Sequence, residues 1–195
     1  RHLTLPRTNL FFNAEVSAAR YPDKPYLVYY DTPVTFLQFR QEAERIAGFL
    51  QQECGVKKGD RVLLYMQNSP QFVLAYYGIL RADAVVVPVN PMNMTEELRH
   101  YVSDTGAAVA FAPQDLLANI APLLSEGLRH IVVAAYSDYI RADHEYPAPA
   151  FITAPREPVA GPGLTLWSDM LARDLRPGPM TAGPDDLAVM PYTSG

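Results

Sequence analysis

The sequence predicts an α/β fold: a mostly parallel, doubly wound sheet flanked by helices. Three observations carry this. Short apolar runs recur at Arg61–Met66, Ala84–Pro88, Ala107–Ala112 and His130–Ala134. Stretches of about 10–15 residues with helical spacing separate them, and that alternation builds parallel βαβ units. The run Ala84-Val85-Val86-Val87-Pro88 is continuously apolar, as a strand buried on both faces must be.

The first elements are read from their punctuation. Residues 1–8 form a loose lead-in. Asn9 is placed to cap a helix through Leu10, Phe11, Val16 and Ala19, which Tyr21-Pro22-Asp23-Lys24-Pro25 stops. Tyr26–Tyr30 is a strand, Asp31-Thr32-Pro33 turns the chain, and Val34-Thr35 pairs back as a hairpin arm. Thr35 begins a long helix, with Gln38 three residues on to complete a capping box. Phe36, Phe39, Ala43, Ile46, Ala47 and Leu50 share one of its faces, and Gly55 ends it.

The turn Lys57-Lys58-Gly59-Asp60 leads into the strand at Arg61–Met66. Ser69 and Pro70 supply the N-cap and first position of a helix to about Ala82, and Asp83 stands where a glycine is expected. After the Val89–Met94 loop, Thr95 is read as the cap of a helix with Glu96 and Glu97 in its first turn, favourable against the helix dipole. Gly106 closes it. Asp115 to about Glu126 reads as a helix, bent at Pro122.

Nine of the eighteen prolines fall between Pro147 and Pro191, which rules out regular sheet or a long helix there. Residues 136–163 are read as an extended surface excursion, ordered by Tyr139, Tyr146 and Phe151. Leu166–Leu171 is a short amphipathic helix, and Arg176–Pro184 another loop. Leu187–Tyr192 reads as a buried strand that empties into Thr193-Ser194-Gly195. Small residues let a backbone approach a phosphate, and successive amides and hydroxyls point at its oxygens. A polar turn after a strand is the plainer alternative.

Composition narrows the class. Apolar residues make up 49% and charged residues 19%, an ordinary soluble globular balance. The net charge of -5, with no basic block, argues against nucleic acid as a partner. A single cysteine, Cys54, forbids an internal disulfide and suits the reducing cytoplasm. It precedes Gly55 at a helix end and is read as structural. His2, His100, His130 and His144 have no metal-ligand spacing. No apolar stretch approaches the ~20 residues of a membrane span.

The order of features identifies a resemblance. Tyr21-Pro22-Asp23-Lys24-Pro25, Val34-Thr35-Phe36, Gly55-Val56-Lys57-Lys58-Gly59-Asp60-Arg61-Val62, Asn68-Ser69-Pro70-Gln71-Phe72, the stretch Leu80–Pro91 and Met190-Pro191-Tyr192-Thr193-Ser194-Gly195 follow one another. This resembles the N-terminal part of the adenylate-forming superfamily: acyl-CoA synthetases, peptide-synthetase adenylation domains and firefly luciferase. The likeness covers about 10–135 and 185–195. Val89-Asn90-Pro91-Met92 looks more like the synthetases for fatty or aryl acids than like peptide-synthetase domains, which usually read Val-Pro-Ile-Asp there. Asp83, where the family mostly has glycine, is a mild departure that puts no chemistry in doubt.

The resemblance implies that residues 1–195 are the N-terminal portion of the large domain, with the Pro-rich excursion at about 136–185 and the remainder absent. The whole enzyme would activate a carboxylic acid with ATP and Mg²⁺ and pass it to CoA. Thr193, Ser194 and Gly195 would hold ATP phosphates, and Thr193 would also stand near Mg²⁺. No catalytic residue falls within the chain, so it is expected to be inactive alone. An amino-acid adenylation domain and a non-catalytic α/β binding module are the alternatives. A homodimer and peripheral membrane contact stay open.

Overall fold

The computed structural model describes residues 6–192. Helix α1 (Leu10–Arg20) starts on Asn9, whose Oδ1 accepts from the Phe12 amide at 2.9 Å. Strands β1 (Pro25–Tyr29) and β2 (Thr32–Thr35) pair antiparallel. Their turn is Tyr30-Asp31, with φ of 43° and 61°. Two left-handed residues give a turn whose twist matches the strands. The turn thus precedes the expected Asp31-Thr32-Pro33, and Thr32 and Pro33 are strand residues.

Helix α2 (Phe36–Gln52) is capped by Thr35, whose Oγ1 accepts from the Gln38 amide at 3.1 Å. Only half of the expected capping box forms. The Gln38 side chain donates instead to Glu42 at 2.8 Å. Glu42 is nine-tenths buried, and a buried carboxylate must be given donors. The predicted inner face holds: Phe39, Ala43, Ile46, Ala47 and Leu50 are fully buried. They pack on α3 (Pro70–Arg81), which Ser69 caps. A Cβ on Gly78 of α3 would lie 2.4 Å from Ile46 Cγ2, so only glycine permits this approach.

The main sheet is built from β3 (Arg61–Tyr65), β4 (Val85–Val89), β5 (Val109–Pro113), β6 (His130–Ala134) and β7 (Leu164–Leu166). All neighbours are parallel, in the order β4-β3-β5-β6-β7. Side chains sort by alternation between two cores. Val62, Leu64, Val109, Phe111 and Val132 join α1, α2 and α3 in one; Leu63, Tyr65, Ala110, Ala112 and Ile131 fill the other. From β3 the chain moves outward to β4, then returns past β3 to β5. That reversal makes a switch point at the carboxyl ends of β3 and β5, where ligands of such sheets sit.

Elsewhere the structure departs from the expectations. Helix α4 (Thr95–Thr105) has Met94 at its N-cap, and Thr95 is its first residue. The Thr95 hydroxyl donates to the Asn119 carbonyl at 2.8 Å, while the Glu97 carboxylate accepts from the Met94 amide at 3.0 Å. The expected helix at Asp115–Glu126 is broken. A 3-10 turn (Gln114–Leu116), α5 (Leu117–Ile120) and a second 3-10 stretch (Ala121–Ser125) replace it, since Pro122 has no amide to give.

Residues 136–163 are less superficial than expected. Tyr136–Tyr139 is a 3-10 turn with Tyr136 and Tyr139 buried, and α6 (Ala150–Thr153) buries Ile152. Tyr146 stays exposed, whereas Phe151, though partly exposed, sets its ring edge-on against the buried Tyr136 at 6.1 Å, as anticipated. Strand β7, unforeseen, precedes α7 (Trp167–Ala172). Gly163 makes it possible: at φ 78°, it passes where a Cβ would sit 2.6 Å from the Arg129 carbonyl oxygen. Among the described residues no helix is long and apolar enough to cross a membrane.

Candidate functional site

The last apolar run is not a buried strand. Leu187 is exposed, and Ala188, Val189 and Met190 are only half-buried. It makes a single parallel bridge, Val189 beside Val86. The Val86 amide donates to the Ala188 carbonyl at 3.0 Å, and the Met190 amide donates to the Val86 carbonyl at 2.9 Å. The reason is its place: it lies outside β4, where no further strand covers it among the described residues. Being parallel to β4, it runs toward the carboxyl ends of the strands.

Tyr192, the last described residue, is seated on α4. Its hydroxyl donates to Asp104. Its ring lies 4.6 Å from that of Tyr101, tilted by 54°, with His100 at 6.3 Å. Desolvation, and next the Asp104 carboxylate, push the Tyr192 phenol up to about 12. At neutral pH it is therefore a fixed donor that ties the end of the run to the helix. Thr193, Ser194 and Gly195, named for the phosphate loop, lie outside the described residues.

Buried polar contacts stiffen the loops beside this path. The Tyr65 hydroxyl donates to the Asn93 carbonyl at 2.6 Å and accepts from Asn119 Nδ2 at 3.2 Å. Asn93 Nδ2 donates to the Tyr101 hydroxyl at 2.8 Å. The loop after β4 is thus tied to β3, α4 and α5 at once. Toward β6, the Gln67 amide donates to the Tyr136 hydroxyl at 2.8 Å, and Gln71 Nε2 donates to the Ala135 carbonyl at 2.7 Å. Burial pushes the Tyr136 phenol well up, so it too stays protonated.

This arrangement can hold a loop root still; it offers no nucleophile. Burial, then Glu53, pushes the Cys54 thiol up to about 12, which fits the structural reading of that residue. Among the described residues no group of three or more His, Cys, Asp or Glu side chains is placed to hold a metal ion. Thr193, the residue expected near Mg²⁺, lies outside the described residues. Sequence reading missed Tyr65, Asn93, Tyr101, Asp104 and Asn119. One signal was there: a tyrosine inside the apolar run Leu63-Leu64-Tyr65-Met66 needs a partner for its hydroxyl once buried.

Comparison with known proteins agrees with this geometry. The long-chain-fatty-acid–CoA ligase of Salmonella typhimurium is 35% identical over 127 residues, 65% of this chain and 23% of that protein. The long-chain-fatty-acid–CoA ligase of Bacillus subtilis is 33% identical over 139 residues, 71% of this chain and 25% of that protein. The chain therefore spans about a quarter of the length of the curated relatives it matches. The crystal structure of the anthranilate CoA ligase AuaEII in complex with anthranoyl-AMP superposes with a TM-score of 0.79 at 23% identity, over 98% of this chain and 33% of that one. That likeness speaks for the fold alone. The pattern that characterises the AMP-binding enzymes matches residues 14–195, and the chain belongs to that family.

Proposed function

We propose that this chain is the N-terminal part of the large domain of an ATP-dependent, AMP-forming acid–CoA ligase, and that its substrate is a carboxylic acid of the fatty class. The observation that carries the reading is the path of the last run. Val189 pairs with Val86 in parallel and Tyr192 sits on α4, so the run that leads into the motif Tyr192-Thr193-Ser194-Gly195 is held at its root and heads toward the ligand edge of the sheet.

A carboxylate resists attack by a thiolate because both carry negative charge. In the proposed reaction the acid's oxygen attacks the α-phosphorus of ATP, the bond to the β-phosphate oxygen breaks, and pyrophosphate leaves. The CoA sulfur then attacks the acyl carbon of the adenylate and AMP leaves. The first step needs charge stabilised on phosphate oxygens. Thr193 and Ser194 hydroxyls and the amides through Gly195 would supply part of it, with Mg²⁺ beside Thr193. The lone cysteine supports a cytoplasmic setting.

The test is ATP–pyrophosphate exchange and acyl-CoA formation by the full-length protein that carries this chain. Exchange that depends on fatty acids, with transfer to free CoA, is expected. The 195-residue chain alone is expected to give none. Exchange with amino acids and no transfer to free CoA would reassign the protein to peptide-synthetase chemistry. Absence of exchange with every acid would overturn the reading.

A further inference from the structure

One carboxylate takes three hydrogen bonds from the segment that leads into the last run. Asp83 follows α3 with φ 62°, a left-handed conformation that costs a non-glycine residue energy. It is nine-tenths buried. Its Oδ2 accepts from the Thr181 amide at 2.8 Å and the Thr181 hydroxyl at 2.7 Å; its Oδ1 accepts from the Ala182 amide at 2.9 Å. Hydrogen bonds to a carboxylate are stronger than neutral ones, so this is the firmest polar hold on the segment. Lys58 reinforces it from the neighbouring turn. Its Nζ donates to the Thr181 carbonyl at 3.1 Å and meets Asp186 at 2.8 Å.

Two facts connect this hold to the site. Asp83 stands three residues before Val86, and Ala182 stands six residues before Ala188, so latch and bridge lie on the same margin of β4. Among the described residues the bridge itself has two backbone hydrogen bonds. A strand so briefly paired has little to fix its register, and a slip of one residue would turn every side chain to the opposite face. We infer that Asp83 is a positioning residue for nucleotide binding: by pinning Thr181 and Ala182 it sets the register of Ala188–Met190 on β4, and with it the seat of Tyr192 on α4. The inference rests on the ligase reading.

Asp83→Gly separates the two properties of the residue, because glycine keeps the left-handed turn without strain and removes the carboxylate. In the 195-residue chain, amide hydrogen exchange is expected to quicken about tenfold or more at Thr181, Ala182 and Met190, the response to loss of local structure. In the full-length enzyme the KM for ATP is expected to rise about fivefold or more with the KM for the acid within about twofold. Thr181→Val removes one of the three bonds from the other side and is expected to move the same readouts less. Unchanged exchange at Met190, or KM values for ATP and acid that rise together, would overturn the inference. If the full-length enzyme shows no ATP-dependent exchange at all, the ligase reading fails, and Met190 exchange still decides whether Asp83 sets the register.

Discussion

Between Arg61 and Ala134 the chain is placed by its neighbours in the sheet; between Tyr136 and Tyr192, outside β7 and the Val189 bridge, it leans on side chains, several of them about a hundred residues away. In the first region each strand pairs residue for residue with another and sends alternate side chains into two cores. In the second, outside β7, backbone groups are caught singly. Gln52 Nε2 donates to the Arg176 carbonyl at 2.6 Å, the Gly178 amide donates to Gln51 Oε1 at 2.9 Å, and Asp83 takes Thr181 and Ala182. Burial of apolar surface is roughly additive and periodic, so it is written along the chain. Single hydrogen bonds are worth about 1 kcal/mol net each. They position the return without making it the source of the fold's stability.

The strongest way to break this contrast is at Trp167, the exception to it. It is fully buried, lies 5.9 Å from Phe111 of β5, and its Nε1 donates to the Tyr139 hydroxyl at 3.1 Å. Trp167→Ala is expected to cost about 3–5 kcal/mol, as large buried truncations do, in one cooperative urea transition. A cost below about 1 kcal/mol would mean that the return contributes nothing to the common core.

Gly48 sharpens the contrast from the opposite side. A Cβ there would lie 2.3 Å from the Leu175 carbonyl oxygen and 2.7 Å from the Arg176 nitrogen. Helix propensity favours alanine over glycine by about 1 kcal/mol, while overpacking costs about 1–3 kcal/mol. Backbone cannot swing aside as a side-chain end can, so the second effect wins. Gly48→Ala is expected to lower stability by about 1 kcal/mol net and to speed exchange of the Gly178 amide, leaving amides of β3 and β5 protected. A stabilised variant would show that the return is not pressed on α2.

The same contrast explains what the sequence could disclose. Asn9, Thr35 and Ser69 were legible as caps because a cap bonds three residues away. The parallel sheet was legible because doubly buried strands are apolar throughout. Strand β7 was not, since three residues carry no period and its pairing is imposed by β6. The run Leu187–Tyr192 looked buried by composition, but strand order puts it on an edge, which no local pattern reveals. Of the surroundings of Tyr192, the sequence disclosed only Tyr192 itself, as the start of a Tyr-Thr-Ser-Gly motif whose last three residues lie outside the described ones. Its supports, Asp83, Tyr101 and Asp104, lie roughly ninety to a hundred residues from what they hold.

The smallest expected effect tests the border between the regions. His130 opens β6, and its Nε2 lies 3.0 Å from Thr165 Oγ1 of β7. Burial first, then Arg173, holds the imidazole below its ordinary 6.5, against a weaker pull from Glu53. The unfolded chain therefore takes up this proton at higher pH than the folded one, and stability rises with pH across that interval. The contribution is complete above about pH 6.5 and is lost as pH falls from there toward the lowered folded value. Urea midpoints are expected to drop between pH 7 and pH 5.5, and His130→Gln, which keeps a hydrogen-bonding group for Thr165, to flatten part of that drop. Coincident pH profiles for the two proteins would mean that β6 and β7 meet without excluding a charged ring, and the return would then be more loosely joined to the sheet than the packing of Trp167 requires.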